Sequence, residues 1–222
     1  MKTFDQIQEG VYDPNIFKTI FLAGGPGSGK SYVVRRTTGG LGMKIVNSDD
    51  VYEKMLKDVG LDTTPEDIYS DQGQDIRVKA KKTVRTMQAN YIEGRLGHIV
   101  DGTGKDFDKI SKQVGMLRGL GYDCYMIFVN TSLDTAQERN AMRKRTLPEK
   151  EVEKMWKEVQ TNIGKFQRLF GNKNFVIVDN NDAGEDIFSK VWKRIMVLVR
   201  QKVSNHIAKR WISQELAKKA RK

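Results

Sequence analysis

The sequence predicts an α/β fold: a five-stranded, mostly parallel sheet between two layers of helices. Two observations carry this. Short apolar runs alternate with stretches of helical periodicity, the pattern of a parallel sheet with crossover helices. A glycine-rich segment, "GGPGSGKS", sits between the first apolar run and a helix-like stretch, where exposed backbone has a function rather than a linker's slack.

The strands follow in order. "KTIFLA" (18–23), "KIVN" (44–47), "HIVDG" (98–102), "CYMIFVN" (124–130) and "FVIVD" (175–179) are short and apolar, as strands covered on both faces should be. Between them, Ile76, Ala80, Thr83, Met87 and Tyr91 recur at helical spacing, as do Val152, Met155, Val159, Ile163, Phe166 and Phe170. Phe188, Trp192, Ile195, Val199, Val203 and Ile207 keep one face apolar and predict one long C-terminal helix. Residues 59–73 read as an irregular insert, and residues 1–15 as a short arm before the first strand. Trp156 and Trp192, on helical faces, are expected in the core.

The 222 residues suffice for one large domain. The net charge is 39 − 28 = +11, and residues 200–222 hold eight Lys or Arg against one Glu, or +7. The remaining 199 residues therefore carry only +4. This divides the chain into a domain at 1–199 and a basic helical tail at 200–222. The tail's Lys202, Lys209, Arg210, Lys218 and Lys219 are candidates for nucleic-acid phosphates, with Trp211 either stacking on a base or packing on the domain. One cysteine, Cys124, excludes an intrachain disulfide. No membrane span or signal peptide is evident, so a cytoplasmic location is expected. Neither His98 nor His206 lies in a metal-ligand pattern.

Gly24 to Ser31 reads G-x-x-x-x-G-K-S between strand and helix, the P-loop pattern. Gly24, Gly25, Gly27, Ser28 and Gly29 let backbone N–H groups form an anion nest. The following helix adds its positive end. Lys30 is expected on the β- and γ-phosphates of ATP, and Ser31 on Mg²⁺. The guanine-specific N-K-x-D is missing, because "NKNF" ends in Phe175, and a small kinase with the P-loop kinase fold is favoured over a GTPase.

The acceptor side is read from two strand ends, since parallel sheets bind ligands at their carboxyl edge. "KIVNSDD" places Asp49 to take a proton from an attacking hydroxyl, with Asp50 and Tyr52 beside the acceptor; the alternative is that Asp49 or Asp50 caps the next helix. "HIVDGTGKD" offers Asp101 to water-held Mg²⁺ or to the acceptor, and Thr103 to the pocket wall; an ordinary turn is the alternative. Arg139, Arg143 and Arg145 in "ERNAMRKRTLPE" form an arginine lid over ATP, or simply a solvated basic helix.

These stretches together resemble the zeta-toxin and polynucleotide-kinase branch of P-loop kinases over about residues 18–150. "VNSDD" looks like the strand end bearing that branch's catalytic aspartate, which places the role on Asp49. "VDGTGKD" is similar to the zeta-toxin "EGTGRT" segment, with Asp101 at its acidic position. "RNAMRKR" looks like the polynucleotide-kinase lid. The sequence departs from the pattern where polynucleotide kinases carry an acceptor-binding arginine, here Tyr52, and where zeta toxins carry Glu, here Asp101. The resemblance implies ATP- and Mg²⁺-dependent transfer to a hydroxyl. The best acceptor candidate is nucleic acid, at a 5′-hydroxyl or a modified base; a nucleotide sugar or nucleoside is the alternative. A nucleotide-gated nucleic-acid-binding module without kinase activity is the competing class.

Overall fold

The computed structural model describes residues 10–30, 32–33, 42–142, 146–181 and 185–221. The predicted N-terminal arm thus lies largely outside the described residues; its end, Gly10–Tyr12, is one turn of 3₁₀ helix.

Five strands form one sheet: β1 (Lys18–Ala23), β2 (Lys44–Val46), β3 (His98–Asp101), β4 (Asp123–Asn130) and β5 (Phe175–Asp179). The order is β2-β3-β1-β4-β5, and every pairing is parallel. Each strand matches a predicted apolar run to within one residue at either end. Side chains alternate across the sheet as the two-residue period requires. Phe21, Ala23, Met126 and Phe128 point into one core with Val114, Leu117, Val159, Phe166 and Phe170. Ile20, Leu22, Tyr125, Ile127 and Val129 point into the other with Val33, Ile195, Leu198 and Val199. Burial on both faces is why these strands read as continuous apolar runs. The result is the three-layer αβα fold of P-loop kinases.

The helices are α1 (Ser48–Asp58), α2 (Pro65–Tyr69), α3 (Asp71–Glu93), α4 (Phe107–Gly119), α5 (Leu133–Ala141), α6 (Glu149–Phe170), α7 (Glu185–Arg200) and α8 (His206–Ala220). Besides these, Lys30, Tyr32 and Val33 are helical after the glycine-rich loop. α1, α2 and α3 build a small satellite core from Tyr52, Leu56, Ile68, Ile76 and Ala80.

Two expectations need correction. The insert at 59–73 is not wholly irregular. Thr64 caps α2 through its side chain and Pro65 opens the helix, so Ile68 can fill the satellite core. Ser70 ends α2 and caps α3 by accepting from Gly73 N at 3.0 Å.

The C-terminal stretch is two helices, not one. Asp123, at the start of β4, accepts from Ser204 N at 2.6 Å, Ser204 Oγ at 2.8 Å and Asn205 N at 3.1 Å. Asn205 then caps α8 by accepting from Ile207 N at 3.0 Å. Local polar partners outcompete the helical ladder at this point, and the chain turns. α8 packs onto the body through Ala208, Trp211 and Ile212. Trp192, expected in the core, is 41% exposed on α7.

Candidate functional site

The parallel sheet brings all five strand ends and their following loops to one edge. The loop after β1 is the first. Gly27 (φ +73°) and Gly29 (φ +78°) occupy left-handed conformations. A Cβ on Gly27 would stand 2.3 Å from the Ala136 carbonyl oxygen, and one on Gly29 would stand 2.4 Å from Asn180 Nδ2. Glycine is required there by both torsion and space. Gly24 N donates to Thr103 O at 3.0 Å, tying the loop to the segment after β3. Gly25 rests near Trp156, whose indole donates to Thr131 O at 2.8 Å. Trp156 is thus half-buried behind the loop rather than in the main core.

Three buried polar atoms around this loop have no partner: Ser28 Oγ, Asn180 Oδ1 and Arg139 Nη1. Ser28 is 1% exposed, and Asn180 holds its carbonyl by donating Nδ2 at 2.7 Å. Arg139, on α5, donates Nη2 to Asn181 O at 3.1 Å. Its Nη1 stands 3.8 Å from where a Cβ on Gly29 would lie. An unsatisfied buried donor costs about 1–3 kcal/mol. Of the three, Ser28 Oγ and Arg139 Nη1 can donate, and two free donors around a concave backbone fit a phosphate group. Asn140, at the end of α5, donates to Leu147 O at 2.8 Å and accepts from Leu147 N at 3.0 Å. Arg143, Arg145 and Ser31 lie outside the described residues.

The neighbouring edge is formed by the ends of β2 and β3. Asn47 caps α1, accepting from Asp49 N at 2.8 Å, and donates Nδ2 to Asp101 Oδ2 at 3.1 Å. The cap is therefore Asn47, and the carboxylates of Asp49 and Asp50 are exposed in the first helical turn. Burial raises the Asp101 pKa above the ordinary carboxylate value; Lys30 opposes that shift, while Asp50 and Asp49 add to it. Lys30 and the three carboxylates thus share one electrostatic neighbourhood. Thr103 serves the loop through its carbonyl. Asn162 of α6 pins the next residues, donating to Gly104 O at 3.1 Å and Lys105 O at 2.9 Å.

A cavity of about 310 Å³ opens here, lined by Ser48, Asp49, Tyr52, Arg77, Lys81, Lys105 and Met155. Asp49 and Tyr52 were anticipated from sequence. Arg77, Lys81 and Lys105 were not, although Arg77 and Lys81 are four apart on α3, flanking the apolar face of Ile76 and Ala80. Asp50 and Asp101 stand beside this cavity's lining rather than in it.

Other sequence candidates are occupied by structure. Trp211 packs edge-on against Phe17 with ring centroids 5.5 Å apart, and Arg95 lies 4.5 Å over its ring. His98 is fully buried between Thr19 Oγ1 at 3.3 Å and Leu96 O at 3.1 Å, and burial lowers its pKa. Burial pushes the Cys124 thiol up to about 12, far from a reactive thiolate. Among the described residues, no group of three or more His, Cys, Asp or Glu side chains is placed to hold a metal by itself. Nor is any helix among them long and apolar enough to cross a membrane.

Comparison with known proteins accords with this architecture. A family model described as AAA domain matches residues 20–161. The search of curated protein sequences gave no match. Among solved structures, a gluconokinase from Sinorhizobium meliloti is similar at 15% identity and TM-score 0.52, over 83% of this chain and 95% of that one. The PezAT chromosomal toxin-antitoxin system of Streptococcus pneumoniae is similar at 14% identity and TM-score 0.53, over 83% and 85%. The Pnkp1/Rnl/Hen1 RNA repair complex is similar at 20% identity and TM-score 0.53, over 68% of this chain but only 47% of that one. Identities this low establish the fold, and the neighbours extend beyond the zeta-toxin and polynucleotide-kinase branch. The phosphate-shaped loop, the strand order and the family match over 20–161 agree: the chain belongs to the AAA domain family and has the kinase-type P-loop fold.

Proposed function

We propose that the protein is an ATP-dependent phosphotransferase that moves the γ-phosphoryl group to a hydroxyl acceptor. The observation that carries this reading is the pairing, on one sheet edge, of an anion cradle with a separate cavity bearing Asp49. A nucleotide switch needs the first and has no use for the second.

In this mechanism the acceptor hydroxyl sits in the Asp49 cavity and gives its proton to the carboxylate. The acceptor oxygen forms a bond to the γ-phosphorus. The bond from that phosphorus to the β–γ bridging oxygen breaks, and ADP leaves with the electron pair. Lys30 and Arg139 stabilise charge on the transferred group, and Arg143 and Arg145 complete the lid. Backbone N–H groups of Gly25, Gly27 and Gly29 fix the phosphates, while that of Gly24 ties the loop to Thr103. Ser31 and Asp101 are the residues that would hold Mg²⁺, Asp101 through water; its carboxylate beside Lys30 suits a site where metal and phosphate charges meet. Mg²⁺ supplies charge neutralisation on the phosphates.

Asp50, Tyr52, Asp101 and Thr103 are assigned to the acceptor side. The chain is read as a kinase unit at 1–199 with residues 200–222 docked on it, working in the cytoplasm where ATP is available. If the acceptor is a polynucleotide, the exposed Lys202, Lys209, Arg210 and Lys219 of that segment are its phosphate contacts. Trp211, engaged with Phe17 and Arg95, serves packing.

The test is transfer from γ-³²P-labelled ATP to pooled DNA, RNA, nucleosides, nucleotide sugars and sugar phosphates, with Asp49→Asn as control. The variant should lose about 10²-fold or more in rate. Its melting temperature should hold, because Asn47 supplies the cap. Normal turnover in the variant, or no labelled acceptor in any pool, would remove the assignment.

A further inference from the structure

The acceptor cavity carries more positive charge than a hydroxyl requires. Its wall combines the single carboxylate of Asp49 with Arg77, Lys81 and Lys105, a local balance of +3 − 1 = +2. Among the described residues, none of the three cations forms a salt bridge. Their placement is fixed by the fold. α3 projects Arg77 and Lys81 from one helical face, and Asn162 holds the Lys105 backbone from α6. The Arg77 guanidinium lies 5.1 Å over the Tyr52 ring, which orients its fork toward the cavity they both line.

Tyr52 adds a second, independent signal. It is 3% exposed, yet its hydroxyl has no hydrogen-bond partner. A buried phenol beside a guanidinium and two ammonium groups offers one more donor to an anion. The cavity, at about 310 Å³, is at the small end for ligand sites.

We propose that this cavity binds the phosphate of a small acceptor that already carries one, so that the enzyme phosphorylates a phosphomonoester-bearing alcohol at a second position. Arg77, Lys81, Lys105 and the Tyr52 hydroxyl hold the existing phosphate, and Asp49 faces the hydroxyl to be modified. The proposal rests on the phosphotransferase reading above. It names the substrate class of that same site and selects a small acceptor over a polymer. The opposing charges divide the labour. The cations set where the acceptor lies, and Asp49 takes the proton.

The test compares matched pairs: ribose against ribose 5-phosphate, glucose against glucose 6-phosphate, and uridine against uridine 5′-monophosphate. A short 5′-hydroxyl oligonucleotide forms a further arm. Transfer from labelled ATP is measured alongside calorimetric binding of each probe in the presence of a non-hydrolysable ATP analogue. The phosphorylated member of at least one pair should exceed its neutral partner by about 10²-fold in kcat/KM. The sugar phosphate and nucleotide arms separate the two sources of the phosphate.

Arg77→Gln and Lys81→Gln should each raise the KM of the phosphorylated member about tenfold or more, and shrink the preference, with kcat little changed. Lys81 is exposed, so its variant keeps the fold even if Arg77→Gln weakens the Tyr52 contact. Equal use of neutral and phosphorylated partners overturns this proposal and leaves the kinase reading standing. Preference for the oligonucleotide over every small phosphomonoester overturns it in favour of a polymer. Binding that is selective for phosphomonoesters and sensitive to both variants, but without transfer to any acceptor, upholds the pocket and defeats the kinase reading. Absence of such binding defeats the pocket.

Discussion

The glycine-rich loop and the neighbouring cavity, read here as nucleotide and acceptor sites, share one edge of the sheet but are made of different material. The loop is built from main chain. Its shape depends on three glycines with positive φ, Gly24, Gly27 and Gly29, and on close approach to Val129, Ala136 and Asn180. The cavity is built from side chains on α1, α3, α6 and the segment after β3, brought together only by folding. The difference teaches why one kinase fold serves many acceptors. A cradle of backbone tolerates little change, whereas a wall of long side chains can be rewritten one residue at a time.

Four variants sharpen that contrast. The largest effect belongs to Lys30→Ala. It should lower transfer about 10³-fold, the loss expected when a charge stabilising the transferring group is removed. Circular dichroism should stay native, because Gly27 and Gly29 set the loop's torsions and spacing. Retained turnover would detach the loop from the chemistry.

Gly27→Ala attacks the loop's shape instead. The left-handed torsion costs about 1–2 kcal/mol, and the clash with Ala136 adds to it. The expected signs are a lower melting temperature and loss of nucleotide binding together. The acceptor wall should answer differently, so phosphomonoester binding, if measured apart from ATP, should outlast nucleotide binding.

Asp101→Asn tests electrostatics between the two regions. Its folded pKa is raised, so its contribution to stability is full below the ordinary value of 3.8 and is lost as pH rises through the folded value. Wild type should therefore lose stability across that window, and the variant should not. At neutral pH the variant should melt higher than wild type while transferring more slowly. A lower melting temperature at neutral pH would mean that Lys30 and Asn47 outweigh the burial cost.

The smallest effect should come from Tyr52→Phe. Deleting a buried, unpartnered hydroxyl removes a desolvation cost, so stability should hold or rise by up to about 1 kcal/mol. Only the KM for the acceptor should increase. A marked drop in melting temperature would show that the hydroxyl has a structural partner.

The sequence disclosed the regions unequally, for the same reason that they differ physically. All five strands were legible because burial on both faces leaves unbroken apolar runs. The loop was legible because torsion and space confine it to glycines at fixed spacing. The place of Asp49 at the sheet edge was legible because it lies three residues beyond the end of β2, though its chemical role is a proposal. Arg77, Lys81 and Lys105 were not, since on paper a lysine or arginine on a helix looks solvated until the opposing wall is known. The break before α8 was hidden for a related reason. Ser204 and Asn205 interrupt the helix only because Asp123, 81 and 82 residues earlier in the chain, waits at the start of β4. The alternative that Asp49 or Asp50 caps α1 falls to Asn47, two or three residues earlier; all three are good capping residues and only the geometry chooses.

The docking of α8 has a consequence for how the molecule can be handled. Its contacts, Phe17, Arg95, Arg118 and Asp123, lie at the amino-terminal ends of strands or in the segments leading into them. The loop and the cavity follow strands. β4 spans eight residues, so about 26 Å of sheet stands between the two poles. A chain tethered to a bead or fused to another protein through its C-terminus would therefore present its reactive edge outward, with the sheet itself as the spacer.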